Sequence, residues 1–141
     1  MPARIAIHDV CIRALSATDD DGIRRMAILA DHDHLLRRFG MSETIWLKAG
    51  QTTGLRVRAV ADELWALLEG SVEFAWHDLR SGSPTQDSWL RLTCTQPTLV
   101  LAPFGVAFGA RGLGERSSLL RLATHADADA DDAAFSWDES A

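Results

Sequence analysis

The chain has 141 residues and 15.4 kDa, with 47% hydrophobic and 24% charged residues, which suits one soluble domain, residues 1–141, around one core. A net charge of −6, a pI of about 5.2 and the lack of a basic stripe with interleaved aromatics argue against nucleic acid as a partner. Six of the 20 acids and no base fall in residues 126–141, which read as a solvated acidic C-terminal tail; without it the body is neutral.

In chain order, residues 5–7 and 10–12 read as an early strand pair or one bent strand. SATDDDG, residues 16–22, is a turn by composition, and residues 26–30 and 42–47 are the next strands. In the latter, Thr44 and Trp46 share one face, Ile45 and Leu47 the other. Residues 50–54 turn the chain into the strictly alternating run 55–60. Residues 63–68 are almost continuously apolar. A helix over ADELWALLE competes there, but its shortness and the glycine turn after it favour a strand. Strands over 72–77, 88–93, 98–102 and 117–123 complete the inventory. Many short strands separated by turn signals indicate an all-β sandwich or barrel.

Cys11 and Cys94 match no metal or redox spacing and read as reduced core thiols. MPARIAIHDVCIRAL lacks the apolar region of a signal peptide, and PTLVLAPFGVAFGA is too short and too interrupted to span a bilayer. No membrane contact and a cytoplasmic location are expected.

The stretch GQTTGLRVRAVADELWALLEG carries a recognisable frame. Gly50, five residues, Arg56-Val57-Arg58, four residues, Glu63, six residues and Gly70 resemble the first cupin motif, G-x5-H-x-H-x4-E-x6-G. Pro103, Gly105 and Phe108 keep the frame of the second motif, with Phe in the histidine position. Asp78-Leu79-Arg80, Ser83-Pro84-Thr85 and Trp89 resemble the D-L-R-x-x-S-P-T-x-x-x-W region of dTDP-4-dehydrorhamnose 3,5-epimerases. PFGVAFGA is similar to that family's P-x-G-x-A-H-G-F, FSWDES to its closing I-x-W-x-D-P, and Asp21-Gly22 loosely to an early D-x-R-G. The resemblance covers most of the chain after Gly50. It implies an all-β fold, a double-stranded β-helix (cupin or jelly-roll barrel), metal-free and paired as a homodimer.

The resemblance also implies proton transfer beside the 4-keto group of a dTDP-linked sugar, with a histidine base in R-G-L-H and a tyrosine acid. Here that motif reads Thr53-Gly54-Leu55-Arg56, so the phosphate-binding arginine and the base are both replaced. Arginine side chains stay charged in proteins and do not abstract protons. No tyrosine exists in the chain, which leaves the usual acid without its residue. Arg56, Arg58 and Phe108 cannot ligate a cation and Glu63 alone is no site, so neither a metal nor a cofactor is expected. Asp31-His32-Asp33-His34 reads as a solvated polar turn, and His77 as an exposed imidazole at a strand end.

Two phases of the arginine strand are open. In the cupin phase, Arg56 and Arg58 line the cavity, Arg121 joins them, and an anionic small molecule or nucleotide-sugar is the partner. In the other, Leu55, Val57 and Ala59 face inward and the arginines face solvent; apolar-in is the default for a half-buried strand, and this phase is preferred. The five tryptophans, Trp65 among them, read as packing residues, with stacking on a base or sugar as the alternative.

Three functions remain: an epimerase-like cupin without the usual acid–base pair, with Arg56, Arg58, Arg121 and Trp65 as ligand contacts; an active epimerase with Glu63 as base and Arg56 or Arg58 steadying the enolate; or an assembly protein with a filled barrel.

Overall fold

The structure, a computed structural model, describes residues 6–127 and 132–137. Its strands are β1 (Ile12–Ala14), β2 (Ala17–Asp20), β3 (Ile23–Met26), β4 (Met41–Lys48), β5 (Leu55–Val57), β6 (Glu63–Glu69), β7 (Val72–Asp78), β8 (Trp89–Cys94), β9 (Thr98–Ala102), β10 (Val106–Gly112), β11 (Arg116–Ala123) and β12 (Ala133–Phe135). One five-stranded sheet has the order β1-β9-β6-β11-β4 and the other β12-β5-β10-β7-β8, every pairing antiparallel, with β2 and β3 as a separate hairpin. Packed face to face, the sheets form the double-stranded β-helix of a cupin barrel. No helix of the described residues is long and apolar enough to cross a membrane.

Strand β6 explains why its sequence looked helical. Leu67 and Trp65 point into the core between the sheets, while Leu64 and Ala66 pack outward under Leu15, Met26, Ile28, Leu29, Leu35 and Leu36. With apolar cover on both faces, no polar alternation is needed. Hydrogen-bond ladders to β9 and β11 on either side rule out the helix. The same holds for β10, absent from the sequence inventory. Six of its seven residues are buried, and its apolar run is broken by Gly109. That glycine is forced, because a Cβ there would lie 1.7 Å from the Gly54 carbonyl oxygen.

Phe108 of β10 anchors the core. Its ring centroid lies 5.1 Å from Trp65 in an edge-on contact, 5.6 Å from Phe74 and 5.1 Å from Trp76. Such pairs add about 0.5–1.5 kcal/mol each beyond area burial. Among the tryptophans, Trp65, Trp76 and Trp137 are buried, whereas Trp46 is 57% exposed on β4, so packing does not account for it.

Other expectations shift. Residues 16–22 hold strand β2 as well as the turn, because Ala17–Asp20 pair with Ile23–Met26 rather than with solvent. The strand expected over 26–30 therefore ends at Met26. Of residues 6–7 and 10–12, only Ile12 lies in a strand, although Ile7 is a core residue; residue 5 lies outside the described residues. The alternating run 55–60 stops at Val57. His77 is half-buried, stacked on Trp89 with centroids 3.9 Å apart, and burial lowers its affinity for a proton. Asp31, His32 and His34 are exposed, whereas Asp33 is half-buried: its carboxylate accepts from the Ala30 N–H at 2.8 Å and pairs with Arg13.

The tail also differs. Asp127 and Asp132 are not free in solvent but ion-paired to the barrel arginines, and β12 adds residues 133–135 to the second sheet. The expectation for Asp129, Asp131, Asp138 and Glu139 lies outside the described residues.

The D-L-R-x-x-S-P-T region is a clasp. Asp78, fully buried at the end of β7, accepts from Arg80 Nε at 2.9 Å, Ser83 Oγ at 2.7 Å and Thr85 Oγ1 at 2.6 Å. Arg80 reaches on to the His8 carbonyl oxygen at 2.7 Å and Asp9, tying the N-terminal segment to the second sheet. Burial alone raises the Asp78 pKa, but the bonds from Arg80, Ser83 and Thr85 outweigh it and hold the carboxyl well below the usual range. A depressed folded pKa contributes stability that is complete above the unfolded value and lost as pH falls through the folded one. Urea midpoints measured from about pH 6 downward should therefore fall with acidification below about pH 4. Asp78→Asn should be less stable at neutral pH and show a shallower acid limb.

Candidate functional site

The first-motif positions meet on Glu63. Strand β11 alternates strictly, placing Ser117, Leu119 and Arg121 inward and Leu120 and Leu122 outward. Arg121 stands in register between Glu43 of β4 and Trp65 of β6, so its guanidinium is delivered between two strands into the sandwich. On the facing sheet Arg56 sits in register with Phe108 on one side and Ala134 on the other. Arg58 follows just beyond β5 and is only 4% exposed.

The preferred solvent-facing phase of the arginines is thus overturned. Leu55 and Val57 do not fill the barrel; they pack on the outer face with Ala75, Ala107, Leu79, Trp89 and Trp137. The apolar-in rule presumes one wet face, and here C-terminal residues cover the outer one. Inside, carboxylates compensate the guanidiniums.

Glu63 is buried and its Oε2 accepts from all three arginines: Arg121 Nη2 at 2.6 Å, Arg56 Nη2 at 3.1 Å, and Arg58 Nη1. Its Oε1 takes the Trp65 indole N–H at 2.9 Å. Arg121 further pairs with Glu43 at 2.8 Å and Asp127 at 2.7 Å, and Arg58 with Asp132 at 2.8 Å. Burial pushes the Glu63 pKa up, but the bond and charge of Arg121, the Trp65 bond and the Arg56 charge outweigh it and hold the carboxyl below its ordinary value. Arg121 is shifted the other way: burial favours losing the proton, yet its bonds to Glu63 and Asp127 raise its pKa.

A cavity of about 240 Å³ opens beside this cluster, walled by Glu43, Thr53, Arg56, Glu63, Arg121 and Asp127 on its polar side and by Ile45, Leu55, Trp65, Phe108, Ala134 and Phe135 on its apolar side. Of the sequence candidates, Arg56, Glu63, Arg121 and Trp65 line it; Arg58 touches Glu63 without being part of its wall. Trp65 meets Phe108 in a T-shaped contact and has already committed its N–H to Glu63. Thr53, at the position of the phosphate-binding arginine, turns its hydroxyl to the Gly54 carbonyl oxygen at 2.9 Å. Sequence reasoning missed Glu43 and Asp127. The first is legible from the inward phase of Ile45 and Leu47. Nothing local marks the second, which lies in the acidic run. Among the described residues, no group of three or more His, Cys, Asp or Glu is arranged to hold a metal ion.

Two packed antiparallel sheets, a cavity between them and the spacing Gly50–Arg56–Arg58–Glu63–Gly70 define a barrel of the cupin fold. No protein-family model matches the sequence. Bacillus subtilis (strain 168) spore coat polysaccharide biosynthesis protein SpsL is 30% identical over 113 residues, 77% of this chain and 74% of that protein. Among solved structures, a dTDP sugar isomerase from Desulfovibrio desulfuricans G20 superposes with a TM-score of 0.85 at 14% identity, covering 94% of this chain and 87% of that one. The dTDP-4-dehydrorhamnose 3,5-epimerase of Bacillus anthracis, with TDP and PPi bound, gives a TM-score of 0.83 at 18% identity, covering 99% and 87%. The chain belongs to the family of that spore coat polysaccharide biosynthesis protein, and its fold is the one shared by the dTDP-sugar isomerase and epimerase structures.

The cluster makes a stability prediction. Removing the most buried carboxylate of a charge set leaves the guanidiniums without their shared acceptor, at a cost of about 3–5 kcal/mol. Glu63→Gln, which keeps the volume and loses the charge, should lower the free energy of unfolding by that order in urea titrations at pH 7.

Proposed function

We propose that this chain is a nucleotide-sugar epimerase-like cupin that has lost the usual acid–base pair and binds the anionic part of a sugar-type ligand in the cavity between its sheets. The observation that carries the reading is the convergence of Arg56, Arg58 and Arg121 beside a cavity whose described walls contain no histidine, tyrosine, lysine or cysteine. Guanidiniums with spare donors suit a carboxylate or phosphoryl group. Epimerisation next to a keto group needs a base on one face of the sugar and an acid on the other. A volume of about 240 Å³ lies below the usual ~300–1,000 Å³ of ligand clefts, so the cavity takes part of a nucleotide sugar, with the remainder outside.

A second reading keeps catalysis: Glu63 takes the proton and Arg56 or Arg58 steadies the enolate. In its favour, Glu63 and Arg56 both line the cavity, 3.1 Å apart. Against it, a carboxylate held anionic by three guanidiniums is a weak base. The assembly reading requires a filled barrel, which the cavity opposes.

Thermal shift with dTDP, dTDP-glucose and glucuronate tests the binding reading, since a ligand at about a hundredfold excess over its Kd stabilises the native state by ~2.7 kcal/mol. At least one should raise Tm, and Arg56→Ala should abolish the rise; no shift by any of them at millimolar concentration removes the reading. Incubating the protein with a dTDP-4-keto-6-deoxy sugar in deuterium oxide separates the second reading. Deuterium at C3 or C5 that disappears in Glu63→Gln would establish it, and an unlabelled sugar would leave binding alone.

The same reading includes a homodimer. Trp46 is exposed on β4, at the edge of the first sheet, and hairpin β2–β3 has no further strand partner among the described residues. An apolar ring on an open edge is an invitation to pair. Light scattering should give twice the mass of the chain, and Trp46→Glu should shift it towards the monomer; a monomeric wild type rejects this part.

A further inference from the structure

Asp127 is held as a ligand would be. Its Oδ1 accepts from Arg121 Nη2 at 2.7 Å and Arg56 Nη2 at 3.3 Å and is ion-paired with Arg58 Nη1 at 3.0 Å, and its Oδ2 accepts from Arg121 Nη1 at 3.1 Å. Two parallel bonds from one guanidinium to both oxygens form the fork through which arginine reads carboxylates and phosphoryl groups. Yet Asp127 is not built in as Glu63 is. Its side chain is 38% exposed against 6% for Glu63, it lines the cavity, and it follows β11 instead of projecting from a core strand.

The seat also has unused capacity. Arg121 is 1% exposed, and its Nε has no hydrogen-bond partner among the described residues. A buried guanidinium N–H left unpaired costs free energy and is a standing demand for an acceptor. Arg56 donates to described residues only through Nη2. The local charge count points the same way. Arg56, Arg58 and Arg121 face Glu63, Glu43, Asp132 and Asp127, three positive against four negative. An anionic ligand added to that set meets an excess of like charge, whereas one that replaces Asp127 leaves the count unchanged.

We propose that Arg56, Arg58 and Arg121 form an oxyanion-recognition subsite and that Asp127 is its tethered occupant, displaced by the carboxylate or phosphoryl group of the ligand. This rests on the binding reading above and deepens it by naming the ligand's recognised group and its internal competitor. The arginines divide the work. Arg58 Nη2 donates to the carbonyl oxygens of His125 and Ala126 at 3.3 Å each, and Arg58 Nε pairs with Asp132, so Arg58 positions the segment on both sides of Asp127. Arg56 and Arg121, which line the cavity, receive the incoming group.

A tethered competitor lowers apparent affinity by the fraction of molecules in which the seat is open. Removing it should therefore tighten binding, the reverse of what a residue that holds the ligand would do. Calorimetric titration of wild type, Asp127→Asn and Asp127→Ala with glucuronate, inorganic phosphate and uncharged glucose reads this directly. Asp31→Asn, on the exposed turn, is the charge-matched control. If the seat is open in about a tenth of wild-type molecules, the variants should bind glucuronate or phosphate about tenfold tighter, with glucose and the control unchanged. A response to glucuronate alone assigns a carboxylate ligand, and one to phosphate alone a phosphoryl ligand. In the wild type, the ¹³C carboxyl resonance of Asp127 should shift on saturation with the responding anion, which needs no variant to fold. If wild type binds and the Asp127 variants bind equally or more weakly, or the Asp127 resonance does not move, the competitor is overturned while the binding reading survives. If neither wild type nor variant binds either anion, both fall.

Discussion

Three guanidiniums placed between two β-sheets have to be neutralised where they stand, and Glu63 is the group on which that depends. One carboxylate oxygen accepts from Arg56, Arg58 and Arg121, and the other is filled by the Trp65 indole. Isolated, any of these charges would cost several kcal/mol in the barrel. Together they join β5 on one sheet to β6 and β11 on the other by a route independent of hydrophobic packing. Through Arg56, Glu63 and Arg121 the same set gives the cavity part of its polar wall, so the charges the fold must accommodate are also the ones the cavity presents.

The rest of the barrel is arranged around that constraint. Below the charged layer, Phe108 is packed by Trp65, Phe74 and Trp76 where a metal-binding cupin carries a ligand histidine. The phenyl ring makes this level of the barrel apolar core and confines polar chemistry to the layer above. The C-terminal residues close the other side: β12 pairs with β5, Trp137 covers its outer face, and Asp127 and Asp132 pair with the arginines. A run that looked like a solvated tail is therefore part of the wall.

Spacing was more legible than orientation. The frame from Gly50 to Gly70 and the positions Asp78, Arg80, Ser83 and Thr85 could be matched in the sequence because fixed spacing records a local geometric need, although the clasp that the last four form was not read there. A turn must have its glycine, and a buried carboxylate its donors at fixed offsets. The loss of histidine and tyrosine was equally plain. Strand β10 was not legible, because burial on both faces erases the alternation that marks a strand. The direction of Arg56 and Arg58 was misread for a related reason. The apolar-in rule counts only one buried face, and the cover over Leu55 and Val57 includes Trp137, about 80 positions away.

By itself the sequence determined a β-barrel of the epimerase-like cupin frame and the absence of its usual proton-transfer pair, since both follow from residue identity at fixed spacing. Only the tertiary structure decided which way the arginine strand faces, that Glu63 is the shared acceptor, and that Asp127 pairs with the same three arginines. Those facts are set by the pairing of strands far apart in the chain. The free energy of a charge inside the barrel depends on which opposite charges arrive beside it, and no local pattern records that.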